Sequence, residues 1–231
     1  MKRLLVLTVV LLAASCAPGP KITPSLATPG KTFDCPFPYP QTKSRFIHAI
    51  EVRRGTQAKT AVIGVTLVDP ASRSISCALM SAEGMALFEA SASPAGLEIG
   101  RALPPLDKEG FARNMIDDIE MIFLAPRSAS VQKGTLADGA PVCRYRTDDG
   151  LLDTVRAGDG TIRLMKYTKN GVLSRSVTLA GGMSDPYAAI ELHAPGVFHY
   201  SLIMTLIEAG RPDYESLPQD KDAGGVNEKP H

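Results

Sequence analysis

"SLIMTLIEA", residues 201–209, carries apolar side chains on both faces of a predicted β-strand. Because successive side chains of a strand point to opposite faces, Leu202, Met204 and Leu206 share one face. Ile203 and Ile207 share the other. An antiparallel sheet with one face in water has a polar outer face instead. The stretch therefore predicts that something apolar lies against each face, or that one face lines a cavity.

Turn-forming sequences such as "TDDG", "AGDG" and "KNG" recur along the chain at a spacing of about 8–12 residues. Asp-Gly and Asn-Gly pairs favour the tight turns that join antiparallel strands. We therefore expect an up-and-down antiparallel meander of about 11 strands. The predicted strands are residues 45–54, 59–69, 74–80, 85–91, 96–101, 141–147, 151–157, 161–168, 172–179, 187–194 and 197–209.

One amphipathic helix is predicted in "DKEGFARNMIDDIEMIFLAP", residues 107–126, with Asp107 as its N-cap and Pro126 at its end. Its apolar residues recur every three or four positions and form one stripe, with Arg113, Asp117 and Glu120 facing away. The stripe contains Phe111, Met115, Ile119, Ile122 and Phe123. One helix cannot cover so wide a sheet. We therefore expect a mainly β protein, a curved half-barrel with this helix as a lid on its concave side.

Such a half-barrel would enclose an apolar hollow. We expect its walls to include Val65, Leu67, Leu79, Leu87 and Leu164, and its roof to include Phe111, Met115, Ile119 and Ile122. A continuous void lined by these nine residues would favour ligand binding, whereas a hollow filled by side chains would not.

The N-terminus, "MKRLLVLTVVLLAASC", has a basic start, an apolar stretch and small residues before Cys16, which is typical of a signal peptide covering residues 1–15. A cysteine directly after "AAS" resembles the lipobox of bacterial lipoproteins, so Cys16 would become the acylated N-terminus. Plain secretion with cleavage nearby is the alternative. The apolar stretch is too short for a transmembrane anchor, which needs about 20 residues. Ala17 in the second position favours the outer membrane, with the protein facing the periplasm.

Beyond Cys16 we expect a proline-rich tether over residues 16–44, a folded domain over 45–210 and a disordered polar tail over 211–231. Cys35, Cys77 and Cys143 show no metal-binding spacing. We interpret them as buried apolar residues, with one disulfide as the alternative. A net charge of +1, with Lys and Arg spread along the chain, argues against a nucleic-acid partner.

The order of these elements resembles the LolB-like outer-membrane lipoproteins of the LolA/LolB superfamily. The resemblance is carried by a strand ending in "LMSAEG", then "LEIG", the acidic helix, and the closing hairpin "YAAIELHAPGVFHYSLIMTLIEA". It covers about residues 45–208. It implies a half-barrel whose hollow accepts the acyl chains of lipoproteins arriving from a soluble, LolA-like periplasmic carrier. It implies no catalysis and no cofactor.

The chain departs from the family at one turn. Receptor-type members have an exposed apolar residue, typically Leu, just before the glycine of the turn that "SAEG" matches, and this residue engages the membrane. Glu83 occupies that position here. Since a carboxylate does not readily enter hydrocarbon, the membrane-insertion role is not carried over to this turn. The resemblance then favours a relative that binds another lipid or glycolipid.

Other functions have weaker sequence support. The chain has no GxSxG and no HExxH motif, so we expect no enzyme, no catalytic residue and no metal site. His193 and His199 flank a turn and would supply at most half of a metal site. We expect the acidic residues 117, 118 and 120 to form a solvated helix face, and Arg144 with Arg146 to form a surface charge face. The main alternative function is a structural or assembly lipoprotein of the cell envelope whose hollow is filled by its own side chains.

Overall fold

The computed structural model describes residues 19–24, 34–54, 57–181, 185–196 and 199–211. The predicted signal peptide, Cys16 and the polar tail from residue 212 onward lie outside the described residues. Within them the protein is mainly β, with one open antiparallel sheet of 13 strands and a single short helix. The predicted fold class is therefore confirmed.

The 13 strands follow the chain as a meander interrupted once by the helix. The strands are β1 (Thr23–Pro24), β2 (Ser44–Arg54), β3 (Gln57–Asp69), β4 (Ser74–Met80), β5 (Ala86–Ser93), β6 (Gly96–Ala102), β7 (Ser130–Thr135), β8 (Pro141–Thr147), β9 (Gly150–Arg156), β10 (Ile162–Thr168), β11 (Leu173–Leu179), β12 (Ala189–Ala194) and β13 (Tyr200–Gly210). The helix α1 spans Phe111–Phe123. All eleven predicted strands are present, and β1 and β7 are additional.

The order of strands in the sheet is β1-β7-β8-β9-β10-β11-β12-β13-β2-β3-β4-β5-β6. The last strand, β13, pairs with β2 and so joins the two halves of the meander. The chain must pass from β6 at one edge of the sheet to β7 next to the other edge. α1 makes this connection across the concave side, which we call the inner face. The topology thus places the helix where it can cover the hollow.

The helix begins three residues later than predicted after its N-cap. Gly110 is the N-cap, with a φ of 78°, and no side chain caps the first turn. Glycine takes this left-handed conformation without the steric cost that other residues meet, so it sets the start of the helix. Asp107 is therefore not the cap. The helix ends at Phe123, three residues before Pro126.

The proline-rich segment is packed against the sheet where it is described. We call residues 19–24 and 34–43 the N-terminal strap. Residues 23–24 pair with β7, and Cys35 forms a disulfide with Cys143 of β8. Tyr39 is buried. The predicted free tether over 16–44 is therefore wrong for the strap, because a covalent bond, strand pairing and burial hold it to the domain.

The cysteine interpretation also needs correction. Cys77 is a buried free thiol on the inner face, as expected, but Cys35 and Cys143 form the disulfide that was the alternative. Their separation of 108 residues closes a long loop. Spacing along the chain could not reveal this pairing, since the meander brings β8 beside the strap only after folding.

Candidate functional site

The inner face is buried at one end of the central strands and partly exposed at the other. On β2, Phe46 and His48 are buried whereas Ile50 is partly exposed. On β4, Cys77 is buried whereas Leu79 is partly exposed. These side chains share one face because they are two residues apart along their strands. Exposure therefore increases toward the turns that join β2 to β3 and β4 to β5.

We call this partly exposed apolar end of the hollow the mouth. Its members are partly buried side chains that pack against the main core cluster. They are Ile50, Leu79 and Leu202 from the sheet and Phe111, Met115 and Ile119 from the helix. Gly64 of β3 lies between two of them, since a Cβ at that position would be 2.5 Å from Ile50 Cδ1 and 3.7 Å from Leu79 Cδ2. The missing side chain lets Ile50 lean across β3.

The opposite, closed end is filled by aromatic side chains. The rings of Phe46 and Phe123 stack with centroids 4.8 Å apart, and Tyr187 lies 4.9 Å from Phe123. The Tyr187 hydroxyl donates to the carbonyl of Pro38 in the strap at 2.5 Å. His48 Nε2 lies 3.2 Å from the Tyr187 carbonyl oxygen, and burial lowers the pKa of this imidazole. The hollow is thus packed at this end by the protein itself.

The helix is attached to the sheet by a polar cluster as well as by apolar packing. Asp118 Oδ1 accepts from Arg175 Nε at 2.7 Å, and Asp118 Oδ2 accepts from the Tyr200 hydroxyl at 2.6 Å. The Arg175 guanidinium lies over the Tyr200 ring, 5.8 Å from its centroid. Burial raises the pKa of Asp118, while the Tyr200 hydrogen bond and Arg175 oppose this rise. The prediction of a solvated acidic face is therefore wrong for Asp118.

Six of the nine predicted lining residues lie on the inner face. Ile122 and Leu164 are fully packed in the core, and Leu79, Phe111, Met115 and Ile119 lie at the mouth. Val65 and Leu67 alternate with Gly64, Thr66 and Val68, which are the buried residues of β3, so they lie on the outer face. Leu87 is the extra residue of a β-bulge and does not pack against the core cluster.

Sequence reasoning missed Ile50 and Leu202 at the mouth. The alternation in "SLIMTLIEA" separates Leu202 from Ile203, but both faces of that strand are apolar. Only the pairing of Leu202 with the buried Leu192 side of β12 identifies which of them is inward. A buried residue next to the mouth, Met204, pairs with Ile50 across β13 and β2.

The turn "SAEG" is well defined. Gly84 has a φ of 86°, its N–H donates to the Ser81 carbonyl at 3.0 Å, and Ser81 N–H donates to the Met85 carbonyl at 2.9 Å. Glu83 is exposed, and a hydrogen bond from Ser81 holds the pKa of its carboxyl below the usual value. Met85, directly after the glycine, is 55 % exposed. The turn at the mouth therefore presents one carboxylate and one apolar side chain.

The arginine pair on β8 differs from expectation. Arg144 donates from Nε and Nη2 to both carboxylate oxygens of Asp153, each at 2.7 Å, and Asp153 is fully buried. Strap residue Pro20 covers the pair and accepts from Arg144 Nη2 at 3.0 Å. A surface charge face is therefore wrong for Arg144, because the strap shields it from water. Arg146 is exposed.

The other sequence candidates remain separate. His193 is exposed and its Nδ1 lies 3.0 Å from Ser201 Oγ, and His199 is also exposed. Over the described ranges, no group of three or more His, Cys, Asp or Glu side chains is arranged to hold a metal ion. Two cavities, of about 470 and 490 Å³, lie beside the C-terminal end of α1 and along β13, β2 and β3. None of the nine predicted lining residues borders either cavity.

Comparison of the chain with protein-family models gave no match, and comparison with curated proteins gave none. In the part of the chain that the structure describes, no helix has the length and apolar character needed to cross a membrane.

Proposed function

We propose that the protein is a LolB-like outer-membrane lipoprotein, acylated at Cys16 and facing the periplasm, that binds the acyl chain of a lipoprotein or glycolipid in its hollow. The fold supports this proposal at the level of architecture, since the resemblance implies an open half-barrel with a helix on its concave side. The Cys35–Cys143 disulfide also fits an oxidising compartment such as the periplasm. In this proposal the protein has no catalytic role.

The mouth is the observation that carries the proposal. Ile50, Leu79 and Leu202 remain partly exposed opposite Met115 and Ile119 of the helix. An apolar surface that is concave and partly open to water is typical of a site that buries an apolar ligand. Burying each CH₂ contributes about 0.8 kcal/mol, so a long acyl chain gains a gross ~10 kcal/mol of transfer energy. Release into a bilayer is then close to balanced.

The packed closed end limits how much of a chain the hollow can accept in this conformation. Phe123 and Leu164 are fully buried there. A ligand enters from the mouth and extends inward only as far as the N-terminal half of α1 moves. A structural or assembly lipoprotein with a filled core is the alternative, and the closed end is the feature that favours it.

The "SAEG" turn bears on delivery of the ligand. Glu83 is charged and exposed, so it does not insert into hydrocarbon. Met85 is the exposed apolar side chain of this turn. We propose that Met85 supplies the apolar contact that Leu supplies in receptor-type relatives, with a soluble LolA-like carrier as the donor of the ligand.

Native mass spectrometry of the protein purified from bacterial membranes tests the proposal directly. We expect a co-purified lipid on the folded domain, or uptake of an added acylated peptide. Absence of both would contradict ligand binding and favour the filled-core alternative.

A matched pair of leucine variants tests where the ligand binds. Leu79 at the mouth and Leu67 on the outer face are partly exposed leucines of neighbouring strands. Leu79→Gln should weaken binding of a fluorescent fatty acid, because a polar amide then faces the acyl chain without a partner. Leu67→Gln should leave the affinity unchanged. Equal effects of the two variants would place the ligand outside the hollow.

A further inference from the structure

Residues 19–24 of the strap cross the outer face of the sheet from β10 to β7. Gly19 lies over β10, since a Cβ at this position would be 3.6 Å from Tyr167 Cδ1. Ile22 is buried in a small outer cluster with Val142 and Val155 of β8 and β9. Thr23 and Pro24 then pair with β7 at the sheet edge. This part of the strap therefore covers one region of the outer face.

The crossing is fixed by polar contacts as well as by apolar packing. The carbonyl of Pro20 accepts from Arg144, and Arg144 is itself held by the fully buried Asp153. Moving the strap away would expose this ion pair and leave the third hydrogen bond of Arg144 unmade. The start of the strap is thus attached to the domain.

Only Ala17 and Pro18 separate Gly19 from Cys16. An extended chain spans at most about 3.6 Å per residue, so the Cα of Cys16 lies within about 11 Å of the Cα of Gly19. Acyl groups on Cys16 are buried in the bilayer and hold this residue at the lipid surface. The outer face beside Gly19 must then stay close to that surface.

We propose that the outer end of β10 and the turn that follows it, residues 168–172, form a surface that rests on the lipid bilayer. This inference depends on the acylation of Cys16 in the proposed function. Tyr167, beneath Gly19, is followed directly by this turn. Val172 is 55 % exposed there, and Lys169 is exposed beside it.

The charges around this membrane-contact surface are mixed. Lys166 pairs with Asp149 at 2.9 Å, and Asp148 in the neighbouring turn is exposed. Lys169 lies in the proposed contact itself. Because neither sign of charge dominates, the contact is set by the short connection to Cys16 and by Val172, and it forms on zwitterionic lipid as well as on anionic lipid.

Fluorescence quenching in vesicles tests the proposal with the full-length, membrane-purified protein. Val172→Cys and Ile99→Cys are each labelled with an environment-sensitive NBD probe and reconstituted into phosphatidylcholine vesicles containing brominated lipid. Ile99 is the matched control, because it is also 55 % exposed but lies on β6 at the far edge of the sheet. The protein without an added cysteine is the labelling blank, since Cys77 is buried and burial raises the pKa of its thiol to about 11.

We expect the probe at position 172 to be quenched by the brominated lipid and the probe at position 99 to keep its emission. Insertion of a flexible Gly/Ser linker of about 20 residues between Pro18 and Gly19 should remove the quenching at 172, because the domain can then leave the surface. This insertion leaves every described contact of the strap in place.

The intact mass of the same samples reports acylation separately. An acylated protein with equal quenching at both positions, or with quenching at 172 that survives the linker, would overturn the membrane-contact surface and leave the proposed function standing. A protein without acyl groups on Cys16 would overturn the proposed anchor and this inference together.

Discussion

Asp118 shows how a single residue can belong to an apolar stripe and still be charged. It lies seven residues after Phe111 and four before Ile122, which places it on the sheet-facing side of α1. Its neighbours Asp117 and Glu120 are on other sides of the helix. A buried carboxylate is retained only where partners satisfy it, and here Arg175 and Tyr200 do so. The helical spacing could have identified this residue, but its partners come from distant strands.

Tyr200→Phe should destabilise the protein because the ring stays while the hydroxyl that donates to Asp118 is lost. We expect the free energy of unfolding to fall by about 1–3 kcal/mol, the cost of leaving a buried acceptor unsatisfied. Tyr167→Phe is the matched control, since the Tyr167 hydroxyl contacts only the weakly accepting sulfur of Met165, at 3.5 Å. Urea unfolding of the two variants and the parent measures the difference.

This destabilisation should depend on pH. Burial raises the pKa of Asp118 above its unfolded value, so its contribution to stability is present at acid pH and is lost as the pH rises through the folded value. Removing the Tyr200 hydroxyl raises this pKa further. The loss in Tyr200→Phe should therefore be larger near neutral pH than near pH ~4, where Asp118 is protonated in both proteins. A loss that is equal at both values would contradict this role.

His48 gives a prediction of the opposite sign. Burial lowers the pKa of this imidazole, so the unfolded chain binds a proton first as the pH falls below about 6.5. The stability that neutral His48 contributes is present above that value and is lost as the pH falls toward the folded value. We expect the parent protein to lose stability between pH ~7 and ~5, and His48→Gln to lose less over the same range.

Thermal unfolding at both pH values measures this difference, with His193→Gln as the control because His193 is exposed. If His48→Gln and the parent lose the same stability on acidification, His48 is not the group responsible.

At the scale of elements, alternation and turn chemistry predicted the eleven longer strands, but neither could assign their faces. β3 is the clearest example. Its outer face carries Ile63, Val65 and Leu67, while its inner face carries Gly64 and Thr66. The more apolar face thus points away from the helix, so the assignment of Val65 and Leu67 to the hollow was wrong. Gly64 is inward because Ile50 leans over it.

The missed strands have a physical explanation. β7, "SVQKGT", has no alternating apolar pattern, since its pairing with β8 and β1 depends on backbone hydrogen bonds near the sheet edge. The two-residue β1 is too short for any pattern. The start of α1 depends on the backbone conformation at Gly110, which also leaves no periodic signal.

The whole molecule extends beyond the domain that the sequence predicted over residues 45–210. The strap covers the closed end of the hollow through Pro38 and Tyr39 and covers part of the outer face through Ile22. Its disulfide joins two points 108 residues apart. The folded unit therefore includes residues that precede position 45, and a boundary at 45 removes a structural part.

A comparison of three chains tests this boundary. One starts at residue 19, one starts at residue 45 with Cys143→Ala, and one starts at residue 19 with Cys35→Ala and Cys143→Ala. A crosslink that closes a loop of about 100 residues contributes up to roughly 4–5 kcal/mol through the unfolded chain. We expect the double variant to lose part of this amount. The chain from residue 45 should lose more, because Tyr39 and Ile22 are also gone and the closed end is opened to water. Since a domain is stable by only about 5–15 kcal/mol, the shortest chain should be close to unfolding at ordinary temperature. Urea unfolding and limited proteolysis measure the order. Equal stability of the chains that start at 19 and at 45 would show that the strap is only a tether, and a double variant as unstable as the shortest chain would assign the whole effect to the disulfide.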